Sequence, residues 1–267
     1  MSRGARWFSA LVAQQPAAET SVLAGDVVWN SERLRLIAVV PNPLAKFPRA
    51  RSGQVGIEEG WMIADAVRRV IAEDDKKEKR AIVAMIDVPG QAFGYHEEFL
   101  GLHESLAAAA DAYASARLAG HPVIALVVGK AISGAFLAHG LQAASIIALD
   151  DAALEFHVMS QASVARVTRR GEAEVAALAK IVPSTARDVH SFASLGALDE
   201  LLKVENADAP NARDVEAVKS ALLARVAALR SNPRAPRDRL LNSAAATSRA
   251  MSIRVRKLLE EQWDAPA

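Results

Sequence analysis

The segment LVVGKAISGAFLAHGLQAA, Leu126 to Ala144, passes from apolar β-formers through Ser133-Gly134-Ala135 into a helical pattern. The first N–H groups of a helix have no intrahelical acceptor and lie at the positive end of its dipole. Small residues there let a ligand oxygen approach the backbone closely. Gly134 and Ala135 are therefore candidates for an oxyanion site built without side chains. Tight packing alone is the competing explanation for Gly134. Ser133 has two readings: a nucleophile activated by His157, 24 residues further on, or a cap for the helix.

A second turn, DVPGQAFGYH, supplies Gly90 and Gly94, flexible points able to aim another N–H at the same spot. Tyr95 and His96 follow it, and His96 is a candidate proton donor. In PNPLAKFPRARSG, Lys46, Arg49 and Arg51 are suited to receive a carboxylate or a phosphate. His103 and His139 fall inside helical patterns and read as structural, and His121 precedes Pro122 at a turn. No two histidines have ligand-pair spacing beside a carboxylate, so no metal site is expected.

These turns need strands to hold them. LRLIAVV (Leu34 to Val40), AIVAMID (Ala81 to Asp87), HPVIALVV and ASIIALD are apolar on both faces and read as buried strands. Between them the pattern predicts helices over about 57–72 and 97–118, plus one after Gly134. Beyond Asp151 further helices are predicted over about 172–180, 185–194, 212–229 and 251–262. Buried strands alternating with helices indicate a parallel α/β sheet, whose ligands collect at the carboxyl ends of the strands. The three turns above all leave such ends. The run EDDKKEKR reads as a solvated helix end.

The chain of 267 residues suits a single domain spanning 1–267, with residues 1–30 as an N-terminal extension. After the punctuation SNPRAPR, residues from about 232 to 267 form a helical arm suited to docking on a partner. The absence of cysteine excludes disulfides, thiolate metal sites and a cysteine nucleophile, and points to a reducing compartment. Net charge is only +1, with nothing that demands nucleic acid or an anionic membrane. The N-terminus makes a poor signal peptide and no apolar run is long enough to span a bilayer, so a soluble, cytoplasmic protein is expected.

Taken in order, the motifs resemble a known superfamily. HPVIALVVGKAISGAF…ASIIALD is similar to the central segment of crotonases (the ClpP/enoyl-CoA hydratase superfamily). IDVPGQAFGYHEEFLGL resembles the Asp-x-Pro-Gly element of acyl-CoA carboxyltransferase domains, and SLGALDELL stands where those folds carry a related segment. FPRARSGQVGIEEGW and LEFHVMS extend the resemblance, across essentially the whole chain, to gamma subunits of biotin-independent malonate decarboxylases.

The resemblance implies a crotonase-like carboxyltransferase fold and a homologous beta subunit as partner. The pair would decarboxylate malonyl-S-acyl carrier protein to acetyl-S-acyl carrier protein and CO2. No cofactor would be bound by this chain, since the CoA-derived prosthetic arm belongs to the carrier. The amides of Gly134 and Ala135 would hold either the malonyl carboxylate or an enolate oxygen. Neither glutamate expected for water addition is recognisable, which disfavours hydratase activity. Two alternatives stand beside this one: a non-catalytic scaffold for the beta subunit's site, and a ClpP-like serine hydrolase using Ser133 and His157. For the latter, only Asp199 and Glu205 offer an acidic third member, by chain position alone.

Overall fold

The computed structural model describes residues 1–13, 20–74 and 78–263, with the side chain of residue 240 left aside. Parts of EDDKKEKR and the last four residues of the chain lie outside the described residues.

A helix, α1 (Arg3–Val12), precedes an antiparallel hairpin of β1 (Val22–Trp29) and β2 (Glu32–Val39). Then follow α2 (Ile57–Glu73), β3 (Ala81–Val88), α3 (Tyr95–Phe99), α4 (Leu102–Leu118), β4 (Val123–Ile132), α5 (Ser133–His139) and β5 (Ser145–Leu149). The second half contributes β6 (Phe156–His157), α6 (Gln161–Thr168), α7 (Glu172–Ala179), α8 (Val189–Ser194), β7 (Glu200–Leu202) and α9 (Ala212–Ser231). A 3-10 turn, Pro236–Leu241, leads to α10 (Ser243–Ser248) and α11 (Ala250–Trp263).

The sheet order is β1-β2-β3-β4-β5-β7, with β6 paired to the end of β4. From β2 to β7 every neighbour is parallel. β3 is almost wholly buried and β5 wholly so, as expected of strands covered on both faces. α2 and α4 pack together; Gly60 meets the Ser105 backbone at 2.7 Å from where a Cβ would stand, so no side chain fits there. No helix among the described residues is long and apolar enough to cross a membrane.

Several elements depart from the sequence reading. The helix expected over 97–118 is two helices, broken at Gly101, whose φ of +89° no helix accommodates. The helix expected over 185–194 starts only at Val189, behind a 3-10 turn at Pro183–Thr185, where the proline closes off regular hydrogen bonding. β4 runs on through Gly129 and Lys130 to Ile132, so the turn is confined to its last residues.

Residues 1–30 carry α1 and β1. Trp7 is fully buried and donates from Nε1 to the Ala207 carbonyl at 2.8 Å, and Phe8 and Leu11 enter the same core. Within the charged run Glu73 and Glu78 are exposed, but Asp74 and Arg80 are buried. Asp74 caps α2 with a fully buried carboxylate, which accepts from the Arg80 backbone N–H at 3.1 Å and from Arg80 Nε at 2.8 Å. Arg80 also reaches Glu73 and Asp26. Burial would raise the Asp74 carboxyl, but the hydrogen bonds from Arg80 and Arg33 outweigh it and hold that group well below the ordinary range.

Candidate functional site

Three loops meet at the carboxyl end of the sheet. The loop after β2 is stitched to the loop after β3 by two backbone bonds: Val55 N–H donates to Gly90 C=O at 3.0 Å and Ala92 N–H to Val55 C=O at 2.8 Å. Above them the Arg49 guanidinium lies over the Phe93 ring, 4.3 Å from its centroid. The loop after β3 then reaches the entry of α5, where Gly134 N–H donates to Gln91 Oε1 at 3.0 Å.

That entry is strained. Ser133 has φ +57°, the left-handed region that a serine rarely occupies, directly after extended Ile132. The abrupt change of direction points the first N–H groups of α5 toward the loop cluster. No side chain at the N-cap, Ile132, satisfies them, and Gln91 supplies the acceptor instead. A Cβ on Gly134 would lie 3.4 Å from Gln91 Oε1, at the near edge of ordinary van der Waals contact. Gln91 was not singled out from sequence, although an amide side chain between Gly90 and the α5 entry was the signal to follow.

Gly90, at φ +131°, fits the tight turn and gives its carbonyl to Val55. Gly94 is extended and heads α3, where buried Glu97 leaves no room for a side chain. Tyr95 and His96 stack edge-to-face, 5.6 Å apart, on the exposed side of α3. Lys46, Arg49 and Arg51 are exposed; Lys46 lies over Phe47 and Arg51 donates to the Ala45 carbonyl at 2.9 Å.

The far side of the turn is closed by β6. Its Phe156 and His157 pair with Ala131 and Ile132, and the Ser133 hydroxyl donates to the Val158 carbonyl. His157 contacts Glu155 at 3.2 Å and also Arg187; burial, then the Arg187 charge, pushes its pKa down. No hydrogen bond joins Ser133 to His157 among the described residues. Asp199 instead binds Ser145 and Arg234, and Glu205 binds Asn211. The serine–histidine arrangement of a hydrolase is thus not formed. Between β6, α5 and the helices α6 to α8 lies an apolar cavity of about 370 Å³, walled by Phe136, Phe156 and Phe192 beside Ser133.

Of the two histidines expected to be structural inside helices, His103 is exposed on α4, whereas His139 is buried: it accepts from the Tyr113 hydroxyl through Nδ1 at 2.9 Å and donates from Nε2 to the Met85 carbonyl at 3.2 Å. No group of three metal-ligating side chains converges among the described residues.

Comparison with known proteins is consistent with this arrangement. The family model of the malonate decarboxylase gamma subunit matches residues 50–263. The malonyl-S-ACP:biotin-protein carboxyltransferase MADD of Malonomonas rubra is 36% identical over 216 residues, which make up 79% of this chain and 66% of that protein. The chain thus spans just under two thirds of that relative's length.

Among solved structures, one chain of a Pseudomonas malonate decarboxylase hetero-tetramer in complex with coenzyme A superposes with a TM-score of 0.92 at 47% identity, covering 98% of this chain and 100% of that one. A chain of the Pseudomonas MdcD–MdcE hetero-dimer gives 0.87 at 45% identity, with the same coverage. A transcarboxylase 12S chain, at 19% identity and a TM-score of 0.59 over 80% of this chain and 38% of that one, shares the fold alone.

Proposed function

The chain belongs to the malonate decarboxylase gamma-subunit family, and from that premise we propose that it pairs with a homologous beta subunit to decarboxylate malonyl-S-acyl carrier protein. The products are acetyl-S-acyl carrier protein and CO2. The bond from C2 to the free carboxylate breaks, its electron pair becomes an enolate whose charge rests on the thioester oxygen, and a proton then adds at C2. Gly134 and Ala135 hold an oxygen of the malonyl unit, and each fixed donor is worth on the order of 3 kcal/mol in the transition state. The observation that carries this reading is the occupied state of Gly134: its N–H already grips an amide oxygen, that of Gln91, at the strained entry of α5.

Within the same reading, Gly90 and Gly94 shape the facing turn, and Ser133 fixes the chain direction and lines the substrate. His96 supplies the proton and Tyr95 flanks it, from a surface that the beta subunit covers. Lys46, Arg49 and Arg51 receive the phosphate of the carrier's prosthetic arm. That arm is the CoA-derived group of the reaction and belongs to the carrier; this chain adds no cofactor and no biotin step. Carrier-bound thioesters are made and consumed in the cytoplasm, which is where this reading puts the complex.

The chain is one domain whose C-terminal arm docks on the beta subunit. In α11, Met251, Val255, Leu258 and Leu259 recur at helical spacing on one face and are all exposed. The opposite face, with Arg249, Ile253, Arg256 and Glu260, looks back on the 3-10 turn Pro236–Leu241. The apolar stripe is therefore turned away from the chain's own body, as a partner-facing helix requires.

The test is Gly134→Pro, which removes one donor near the start of α5, with the unfolding midpoint measured alongside to show that the strained Ser133 turn survives. The expected outcome is a loss of about 10²–10³-fold in kcat with the hetero-oligomer still co-purifying. Full activity in that variant would leave the chain as a scaffold only.

A further inference from the structure

The C-terminal arm concentrates positive charge. Residues 232–263 hold seven basic and three acidic side chains, a net of +4 in a chain whose total is only +1. Between the 3-10 turn Pro236–Leu241 and α11 runs an open groove of about 470 Å³. It is lined by Arg237, Arg249, Arg256 and Lys257, by Asp238 and Glu260, and by the exposed apolar side chains of Leu241 and Ile253. Arg237 pairs weakly with Asp238 at 3.7 Å and Lys257 with Glu261 at 3.8 Å. The side chains of Arg249 and Arg256 form no ion pair among the described residues, whereas most arginines of the sheet domain do.

The groove is also anchored close to the site. Arg239, buried in the same 3-10 turn, donates to the carbonyls of Leu141 and Ala143, which directly follow α5. α5 has seven residues and a length of about 10 Å. One short helix therefore separates Gly134 from the residues that hold the groove.

We propose that this groove docks the acyl carrier protein through an acidic helix bearing a few apolar side chains. The proposal rests on the reading that a carrier delivers the malonyl group. Unpaired guanidinium groups beside exposed apolar side chains complement carboxylates flanking apolar residues, whereas the homologous subunit is better matched by the uncharged stripe on the other face of α11. Docking beside α5 brings the carrier's prosthetic arm to the donors from nearby.

The experiment uses the assembled complex with two substrates, malonyl-S-acyl carrier protein and the small thioester malonyl-S-pantetheine. Carrier affinity is measured in parallel by fluorescence anisotropy, independently of turnover. The double variant Arg249→Glu/Arg256→Glu is expected to weaken carrier binding by at least about tenfold and to raise KM for the carrier in proportion. Turnover of the small thioester should change less than about twofold, and Arg249→Lys/Arg256→Lys should bind the carrier nearly as wild type.

Unchanged carrier affinity in the charge-reversed complex overturns the proposal. So does dissociation of the beta subunit in that variant, which would assign the groove to subunit pairing, or an equal loss on both substrates. Loss of carrier binding in the charge-reversed complex, when the wild-type complex itself decarboxylates neither thioester, would uphold the groove while sinking the catalytic reading.

Discussion

His139 shows how one residue ties the candidate site at α5 to solution conditions. It lies at the end of α5, fully buried, with both ring nitrogens bonded inside the protein. Burial, only partly offset by the bond to Met85, pushes its pKa down to about 4. Unfolded, the same imidazole titrates near 6.5, so between those values the unfolded chain binds the extra proton. Stability is therefore fully present above about pH 6.5 and falls as pH drops toward 4, by about 3 kcal/mol at the limit. His121, also lowered chiefly by burial, acts in the same direction. Urea unfolding at pH 7.5 and at pH 4.5 checks this, and equal midpoints would contradict it. Because α5 is the helix that presents Gly134, acid should loosen the site along with the core.

At the scale of elements, α1 bears the clearest consequence. Trp7 fills the space beside the sheet and donates from its indole to the Ala207 carbonyl at 2.8 Å, so α1 clasps the segment leading into α9. Trp7→Ala should cost about 3–5 kcal/mol, read as a lowered denaturant midpoint with an unchanged slope. A shift below 1 kcal/mol would mean that α1 is peripheral to the fold.

Neither α1 nor its neighbour β1 was legible in the sequence. RGARWFSALV begins basic and is short, and VLAGDVVW mixes glycine and aspartate into an edge strand whose pairing defines it. β6 and β7, with two and three residues, exist only through their partners in space. By contrast β3, β4 and β5 and helices α2 and α9 were legible, because strands buried on both faces and long amphipathic helices write their environment into every residue. The α5 entry was legible for the same reason in reverse: Ser133 and Gly134 offer the core no apolar side chain, and only the small Ala135 enters it. The Gln91 contact was not, since it depends on two loops meeting across the sheet.

At the scale of the whole molecule, α11 stands uncovered by the rest of the chain. Its residues are exposed throughout, with Trp263 82% and Met251 70% accessible. A helix so apolar on its outer face gains little by standing in water. The double variant Leu258→Asp/Leu259→Asp should abolish co-purification with the beta subunit. Stability of the chain itself should stay within about 0.5 kcal/mol, as for other surface substitutions. Retained pairing would move the subunit interface elsewhere on the molecule.

The hydrogen bond from Gly134 to Gln91 turns substrate entry into an exchange reaction. An empty subunit never leaves that N–H unpaired, a state that would cost about 1–3 kcal/mol if it were also shut away from water. A newcomer must outcompete a neutral amide oxygen that is already well placed. The carbonyl of a resting thioester is a weaker acceptor than an amide and wins little by displacing it. An enolate oxygen, carrying nearly a full charge, wins decisively. On the catalytic reading proposed above, the glutamine therefore works as a built-in competitor that suppresses ground-state binding and leaves the transition state favoured, a selectivity that tighter gripping of every oxygen alike would not provide.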